Sequence, residues 1–140
     1  MGGEMNQQEM TKPHIVVSKP DHERLTQLAN GLLDRKPELV DELLGELERA
    51  RVVAAESVPP NTVQMGSSVE YRSDDGSARR VTLVYPGDAD IAQGKVSILT
   101  PIGTALLGLS VGQSIDFAAN DGRIHRLTIV SVSPAQGAAA

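Results

Sequence analysis

Apolar side chains fall at Leu25, Leu28, Ala29, Leu32 and Leu33, the i, i+3, i+4, i+7, i+8 spacing of one stripe along a helix. Ser18 stands ahead of it as an N-cap. Pro20 occupies the first turn, and Asp21 and Glu23 lie near the positive end of the helix dipole. Asn30 and Gly31 weaken the last turn, and Asp34-Arg35-Lys36 form a polar break. Pro37 suits the start of a second helix, whose stripe of Leu39, Val40, Leu43, Leu44 and Leu47 is continued by Ala50, Val53 and Ala54. Two striped helices joined by about three residues run antiparallel and zip together. At ~1.5 Å per residue they are on the order of 20 Å and about 27 Å long, a short hairpin. A brief apolar run, His14 to Val17, precedes it.

Glu-Ser-Val-Pro-Pro-Asn-Thr from Glu56 to Thr62 cannot continue a helix. A domain boundary is expected here, with the stiff Pro59-Pro60 pair favouring one orientation of the halves. Beyond it the period becomes strand-like. Val63 to Arg72 predicts a strand with Val63, Met65, Val69 and Tyr71 on one face, followed by an Asp75-Gly76 turn and a second strand, Val81 to Tyr85. A polar connection, Pro86 to Lys95, leads to a third strand, Val96 to Leu99. Thr100 caps, and Pro101 opens, a short helix from Ile102 to Leu107 that Gly108 ends. Ser114 to Ala118 and Arg123 to Val132 predict a last hairpin around Asn120-Asp121-Gly122. The expected class is α+β: an N-terminal helical hairpin (14–57), then a mostly antiparallel sheet with one short helix (58–134). Residues 1–13 and 135–140 read as a disordered lead-in and tail.

Composition narrows the chemistry. Hydrophobic residues make up 40%, but Tyr71, Tyr85 and Phe117 are the only aromatics, so the core is aliphatic. The net charge of −5 argues against nucleic-acid binding, which needs clustered Lys and Arg, and favours a basic protein surface as partner. Absence of cysteine excludes disulfides, thiolate zinc sites and cysteine nucleophiles, and fits a reducing cytoplasm. No apolar run approaches the ~20 residues that span a bilayer, and no leader opens the chain, so a cytoplasmic protein without membrane contact is expected. His14, His22 and His125 are scattered outside any metal-binding pattern. No serine sits in a Gly-x-Ser-x-Gly elbow, and no Walker or dinucleotide glycine pattern occurs. No catalytic residue, metal or cofactor is expected. Glu38, Asp41, Glu42, Glu46 and Glu48 follow one another without an intervening base. They form either a solvated helix face or an acidic probe toward a basic surface or a partner's metal centre.

From Val81 to Gly112 the chain reads as a strand, a loop with Asp88, Asp90 and Gly94, a second strand, then Thr100-Pro101 and a short Ala105-Leu106-Leu107-Gly108 helix leading to Val111-Gly112. This order resembles the C-terminal domain of the bacterial GreA/GreB transcript-cleavage factors over roughly the last 70 residues. The resemblance implies an FKBP-like fold and docking on the coiled-coil rim of the secondary channel of bacterial RNA polymerase. Carried over by position, the docking segment is Thr100, Pro101 and Ile102, with Asp88 and Asp90 in the neighbouring loop. Leu99 departs from the polar residue frequent before the Ser/Thr-Pro pair. Cleavage-competent members carry an Asp and a Glu at the tip of a long hairpin, where they help hold a metal ion. Here the tip is Asp34-Arg35-Lys36-Pro37-Glu38 on a short hairpin. The short hairpin, the Val58-Pro59-Pro60 linker, Tyr85-Pro86 and Leu106-Leu107-Gly108-Leu109 are similar to the Rnk subfamily, regulators of nucleoside diphosphate kinase. The implied function is non-enzymatic binding to polymerase in competition with Gre-type factors. Weak transcript cleavage, or regulation of nucleoside diphosphate kinase as a separate partner, are the alternatives. Prolyl isomerase activity, which the fold raises as a rival, is not expected, because such a pocket stacks the proline ring on several aromatic side chains, and Phe117, Tyr71 and Tyr85, two of which suit sheet positions, cannot line it well.

Overall fold

The computed structural model describes residues 13–118 and 122–134. The expected lead-in up to Lys12, the tail 135–140, and Asn120 and Asp121 of the last turn lie outside the described residues.

Strand β1 (Val16–Ser18) runs directly into helix α1 (Lys19–Leu32). Ser18 caps it as expected, its hydroxyl accepting the Asp21 N–H at 3.2 Å. Residues 33–36 turn the chain into α2 (Pro37–Arg49). The two stripes meet: Leu25 and Ala29 of α1 are buried, as are Val40, Leu43 and Leu47 of α2.

The second helix is shorter than its stripe predicts. It stops at Arg49, Ala50 is extended, and Arg51–Val53 forms β2, pairing parallel with β1 in the register Val17↔Val52. Val53 and Ala54, expected on the helix, are not helical. The β-branched Val52-Val53 pair suits a pleated strand. The Arg51 N–H finds the Ile15 carbonyl at 3.0 Å, a partner the local pattern does not reveal. At ~1.5 Å per residue both helices are about 20 Å long.

The main sheet has the order β5-β4-β3-β7-β6, with β3 Ser68–Ser73, β4 Ala78–Val84, β5 Lys95–Ser97, β6 Ser114–Ala118 and β7 Ile124–Ser133. All its pairings are antiparallel except β4–β5, which is parallel. The expected strand from Val63 begins only at Ser68. Gly66 adopts a left-handed φ of 87°, and the Ser67 hydroxyl accepts the Gln64 N–H at 2.9 Å, so this stretch turns. Helix α3 (Pro101–Leu106) packs on β5 and β6.

One apolar cluster runs through both halves. Ile15 and Val17 are buried together with Leu25, Leu43, Leu83, Leu106 and Leu127. At Gly108 (φ 80°) the Val16 N–H donates to the Gly108 carbonyl at 3.1 Å, and an added Cβ would stand 2.7 Å from that of Ile15. β1 is thereby held against the end of α3. Among the described residues no helix is long and apolar enough to cross a membrane.

Candidate functional site

The segment 97–104 is fixed by its own polar groups. The Thr100 hydroxyl donates to the Ser97 carbonyl at 2.7 Å and accepts the Gly103 N–H at 3.0 Å, capping α3. The Ser97 hydroxyl accepts the Leu99 N–H at 3.0 Å, and the Thr104 hydroxyl donates to the Ile98 carbonyl at 2.7 Å. Every hydroxyl here has a partner, so Pro101 and Ile102 are presented, half-exposed, on a rigid corner.

Two concavities meet at that corner. On one side, a trough of about 210 Å³ is lined by Glu38, Leu39 and Glu42 of α2 and by Leu99, Thr100, Pro101 and Thr104. It continues along α3 into a smaller hollow of about 130 Å³ bounded by Glu46, Ala105, Asp116 and Ile124. On the other side, a cavity of about 470 Å³ over the sheet is lined by Tyr71, Ile91, Val96, Ile102, Phe117 and His125. Two of the three aromatics, Tyr71 of β3 and Phe117 of β6, share this cavity. The third, Tyr85, lies elsewhere, its ring covered by the Arg24 guanidinium 4.1 Å from its centroid.

Glu38 of the hairpin and Thr100-Pro101 of the sheet half are thus brought to one trough. Asp34, Arg35 and Lys36 are exposed on the turn, and their side chains make no ion pair among the described residues. Asp88 is exposed at the end of a single 3-10 turn (Pro86–Asp88). The Asp90 carboxylate accepts the Ala92 N–H at 3.1 Å, and the Asp90 backbone exchanges 2.9 Å hydrogen bonds with Lys95, so this acid shapes its own loop. Between that loop and α3, Ile91 reaches the larger cavity and remains 76% exposed.

The acidic run divides over the surface of α2. Glu38, Glu42 and Glu46, four residues apart, face α3 and β6, whereas Asp41 and Glu48 line a different surface with His22 and Thr26. Glu46 is not part of a solvated face: it is 6% exposed and pairs with Arg49 at 2.8 Å, and Arg49 also donates to the Pro13 carbonyl. Residues not singled out from sequence include Leu39, Ile91 and Ile124. An apolar residue in an otherwise polar loop was the available signal for Ile91. No group of three or more metal-ligating side chains occurs among the described residues.

A second polar cluster joins α1 to the sheet half. The Asp21 carboxylate accepts the Met65 N–H at 3.2 Å, and burial raises its pKa against the opposing pull of that amide, Arg24 and Ser18. The Tyr85 phenol is pushed up to about 12, first by burial and then by the Asp21 charge, with Arg24 acting in the opposite sense. These contacts help tie α1 to the first residues of the sheet half.

Residues 58–134 match the family described as the C-terminal part of transcription elongation factor GreA/GreB, and residues 13–53 match the Rnk N-terminus. The chain belongs to the GreA/GreB family, with the Rnk type of N-terminal half. It is 36% identical over 104 residues to the regulator of nucleoside diphosphate kinase of Escherichia coli strain K12, covering 74% of this chain and 76% of that one. It is 35% identical over 83 residues to the GreA of Nitratidesulfovibrio vulgaris, of whose length the match spans 50%. Among solved structures, a GreA/GreB elongation factor from Nitrosomonas europaea superposes with a TM-score of 0.70 at 41% identity, covering 85% of this chain and 98% of that one. GreA/GreB membership agrees with the resemblance read from Val81 onward, and the architecture of N-terminal helices and C-terminal sheet agrees with the expected α+β class.

Proposed function

We propose that this chain is a cytoplasmic regulator that binds bacterial RNA polymerase at the secondary channel and excludes Gre-type factors without promoting transcript cleavage. Thr100, Pro101 and Ile102 form the docking corner, flanked by the loop of Asp88 and Asp90. The short hairpin occupies the channel mouth. The observation that carries this reading is the rigid, half-exposed Thr100-Pro101-Ile102 corner within a segment that matches the GreA/GreB family. The tip argues against cleavage. Asp34 and Glu38 stand on either side of Arg35, Lys36 and Pro37, and Glu38 faces the α3 trough. Holding a hard divalent ion requires carboxylates converging at bonding distance.

The test is competition. Purified chain should co-elute with bacterial RNA polymerase and be displaced by a Gre factor, leaving RNA in backtracked complexes unshortened. Absence of binding at low salt excludes the reading; shortening that Asp34→Ala or Glu38→Ala abolishes replaces it with a cleavage role. The E. coli relative's name favours a second reading, regulation of nucleoside diphosphate kinase through direct contact. That reading expects a complex with the kinase in the absence of polymerase.

A further inference from the structure

We infer that the cavity of about 470 Å³ over the sheet binds an apolar monocarboxylate, with the carboxylate against Tyr71 and Arg79 and the apolar body against Ile91, Val96, Ile102 and Phe117. The site does not depend on the polymerase reading. Its size falls within the range of small-ligand cavities. Tyr71 of β3 and Arg79 of β4 are direct partners across the antiparallel pair, so their side chains leave the same face of the sheet side by side. Both line the cavity. Among the described residues the Tyr71 hydroxyl makes no hydrogen bond and the Arg79 guanidinium no ion pair. A buried phenol ordinarily has a hydrogen-bond partner. Burial raises the Tyr71 pKa, with the Arg79 charge acting in the opposite sense, so the phenol keeps its proton at neutral pH and can donate it. Two donors thus stand together on one wall with no acceptor supplied by the chain.

Most other polar groups of the lining are committed. The Ser77 hydroxyl donates to the Asp75 carboxylate at 2.6 Å, the Thr100 hydroxyl caps α3, and His125 lies 3.7 Å from Asp74. Ser73, two residues beyond Tyr71 and on the same face of β3, can add a third donor. A surplus of donors calls for an acceptor, and the charge of Arg79 makes an anionic one fit best. The number of charges is limited. Asp75 lines the same cavity, and its hydrogen bonds from Ser77 hold it below the usual carboxylate range, so it stays ionised and repels a second negative group. A nucleotide, with several charges and a polar ribose, does not match these walls. An uncharged apolar molecule gains nothing from Arg79. Ile91, 76% exposed on its loop, is apolar surface that the ligand's body would cover. A free apolar acid and the C-terminal residue of a peptide offer the same chemistry.

The experiment is an NMR titration of the full chain with phenylbutyrate and with acetyl-alanyl-phenylalanine, each compared with its uncharged amide. The acids should bind roughly fivefold more tightly than the amides or better, moving the backbone signals of β3, β4 and Ile91. Arg79→Gln, at an exposed position, should make acid and amide bind alike. Tyr71→Phe keeps the ring and should weaken the acid roughly threefold. Arg72→Gln removes the same charge from the opposite face of β3 and should stay within about twofold of wild type. Circular dichroism checks that each variant folds. Tighter binding of the dipeptide than of phenylbutyrate assigns the site to a peptide terminus, and the reverse order assigns it to a free acid. The inference is overturned if neither acid binds, if wild type does not distinguish acid from amide, or if Arg72→Gln loses as much as Arg79→Gln. Adenosine diphosphate binding more tightly than either acid overturns it in favour of a polyanion.

Discussion

Asp21 is a first-turn acid, a position that ordinarily stabilises a helix through the dipole. Burial dominates here and raises its pKa above 3.8. From 3.8 upward the folded chain holds this proton more tightly than the unfolded one. Ionisation therefore costs the fold, and stability falls as pH rises through the window just above 3.8. Asp21→Asn retains an acceptor for the Met65 N–H and removes the ionisation. Thermal melts from pH 3.5 to 7 should show a gap opening in favour of the variant as pH rises; a constant or reversed gap contradicts the burial argument. Tyr85 makes the parallel case at high pH. Its hydroxyl is buried with no hydrogen-bond partner among the described residues, and its pKa is pushed up to about 12. The folded phenol keeps its proton where the unfolded one, at 10.0, gives it up, so stability declines between pH 10 and about 12. Tyr85→Phe should flatten that decline in urea titrations, leaving a residual slope from Tyr71, which burial also raises. At pH 7 it should cost less than about 1 kcal/mol, since no hydrogen bond is lost.

At the scale of elements, two helical glycines of like local sequence appearance have opposite roles. A Cβ at Gly103 would lie 2.1 Å from the Ser97 carbonyl oxygen and 3.0 Å from the Thr100 hydroxyl, so the close turn into α3 requires glycine. At Gly45, in α2, a Cβ meets nothing within 4 Å. Gly45→Ala should stabilise by about 0.5–1 kcal/mol, and Gly103→Ala should destabilise by about 1–3 kcal/mol or more, both measured by urea denaturation. Matching signs would mean that the α3 corner is less rigid than its hydrogen bonds imply. Elements with a local cause were legible: the α1 stripe, the Ser18 cap and the Thr100-Pro101 start of α3 each lie within one turn of what they specify. β2 was not, because Ala50, Val53 and Ala54 satisfy the helical period while the strand depends on Val16–Ser18, far away in sequence. The Val63 stretch was misread because alternation persists through residues that Gly66 turns. Of the site, Glu38 and Thr100-Pro101 could be named, but their sharing of one trough is a tertiary fact that neither segment encodes alone.

For the molecule as a whole, the orientation of hairpin on sheet decides whether α2 and α3 form a trough, and much of that orientation passes through one side chain. Gln64 accepts the Ser18 N–H at 2.9 Å with its Oε1, and donates from Nε2 to the Val16 carbonyl at 2.7 Å and to the Val63 carbonyl at 2.9 Å. It joins the β1–α1 junction to the first residues of the sheet half. The supporting contacts are the Val16–Gly108 bond, Gln113 donating to the His14 carbonyl at 3.2 Å, and the Asp21–Met65 pair. With the apolar cluster continuous from Leu25 to Leu127, the two halves should unfold together in the wild type, helical circular dichroism and tyrosine fluorescence tracing one urea transition. Gln64→Leu keeps the bulk but leaves the Ser18 N–H and the Val16 carbonyl without this partner in half-buried surroundings. That should cost about 1–3 kcal/mol. If packing alone sets the hairpin's angle, the variant is merely less stable and binds polymerase as wild type does. If Gln64 sets it, the variant loses affinity under conditions where it is fully folded, although it alters no residue of the trough. The second outcome is expected, because apolar contacts are non-directional, and the hydrogen bonds from Gln64 fix direction across the junction.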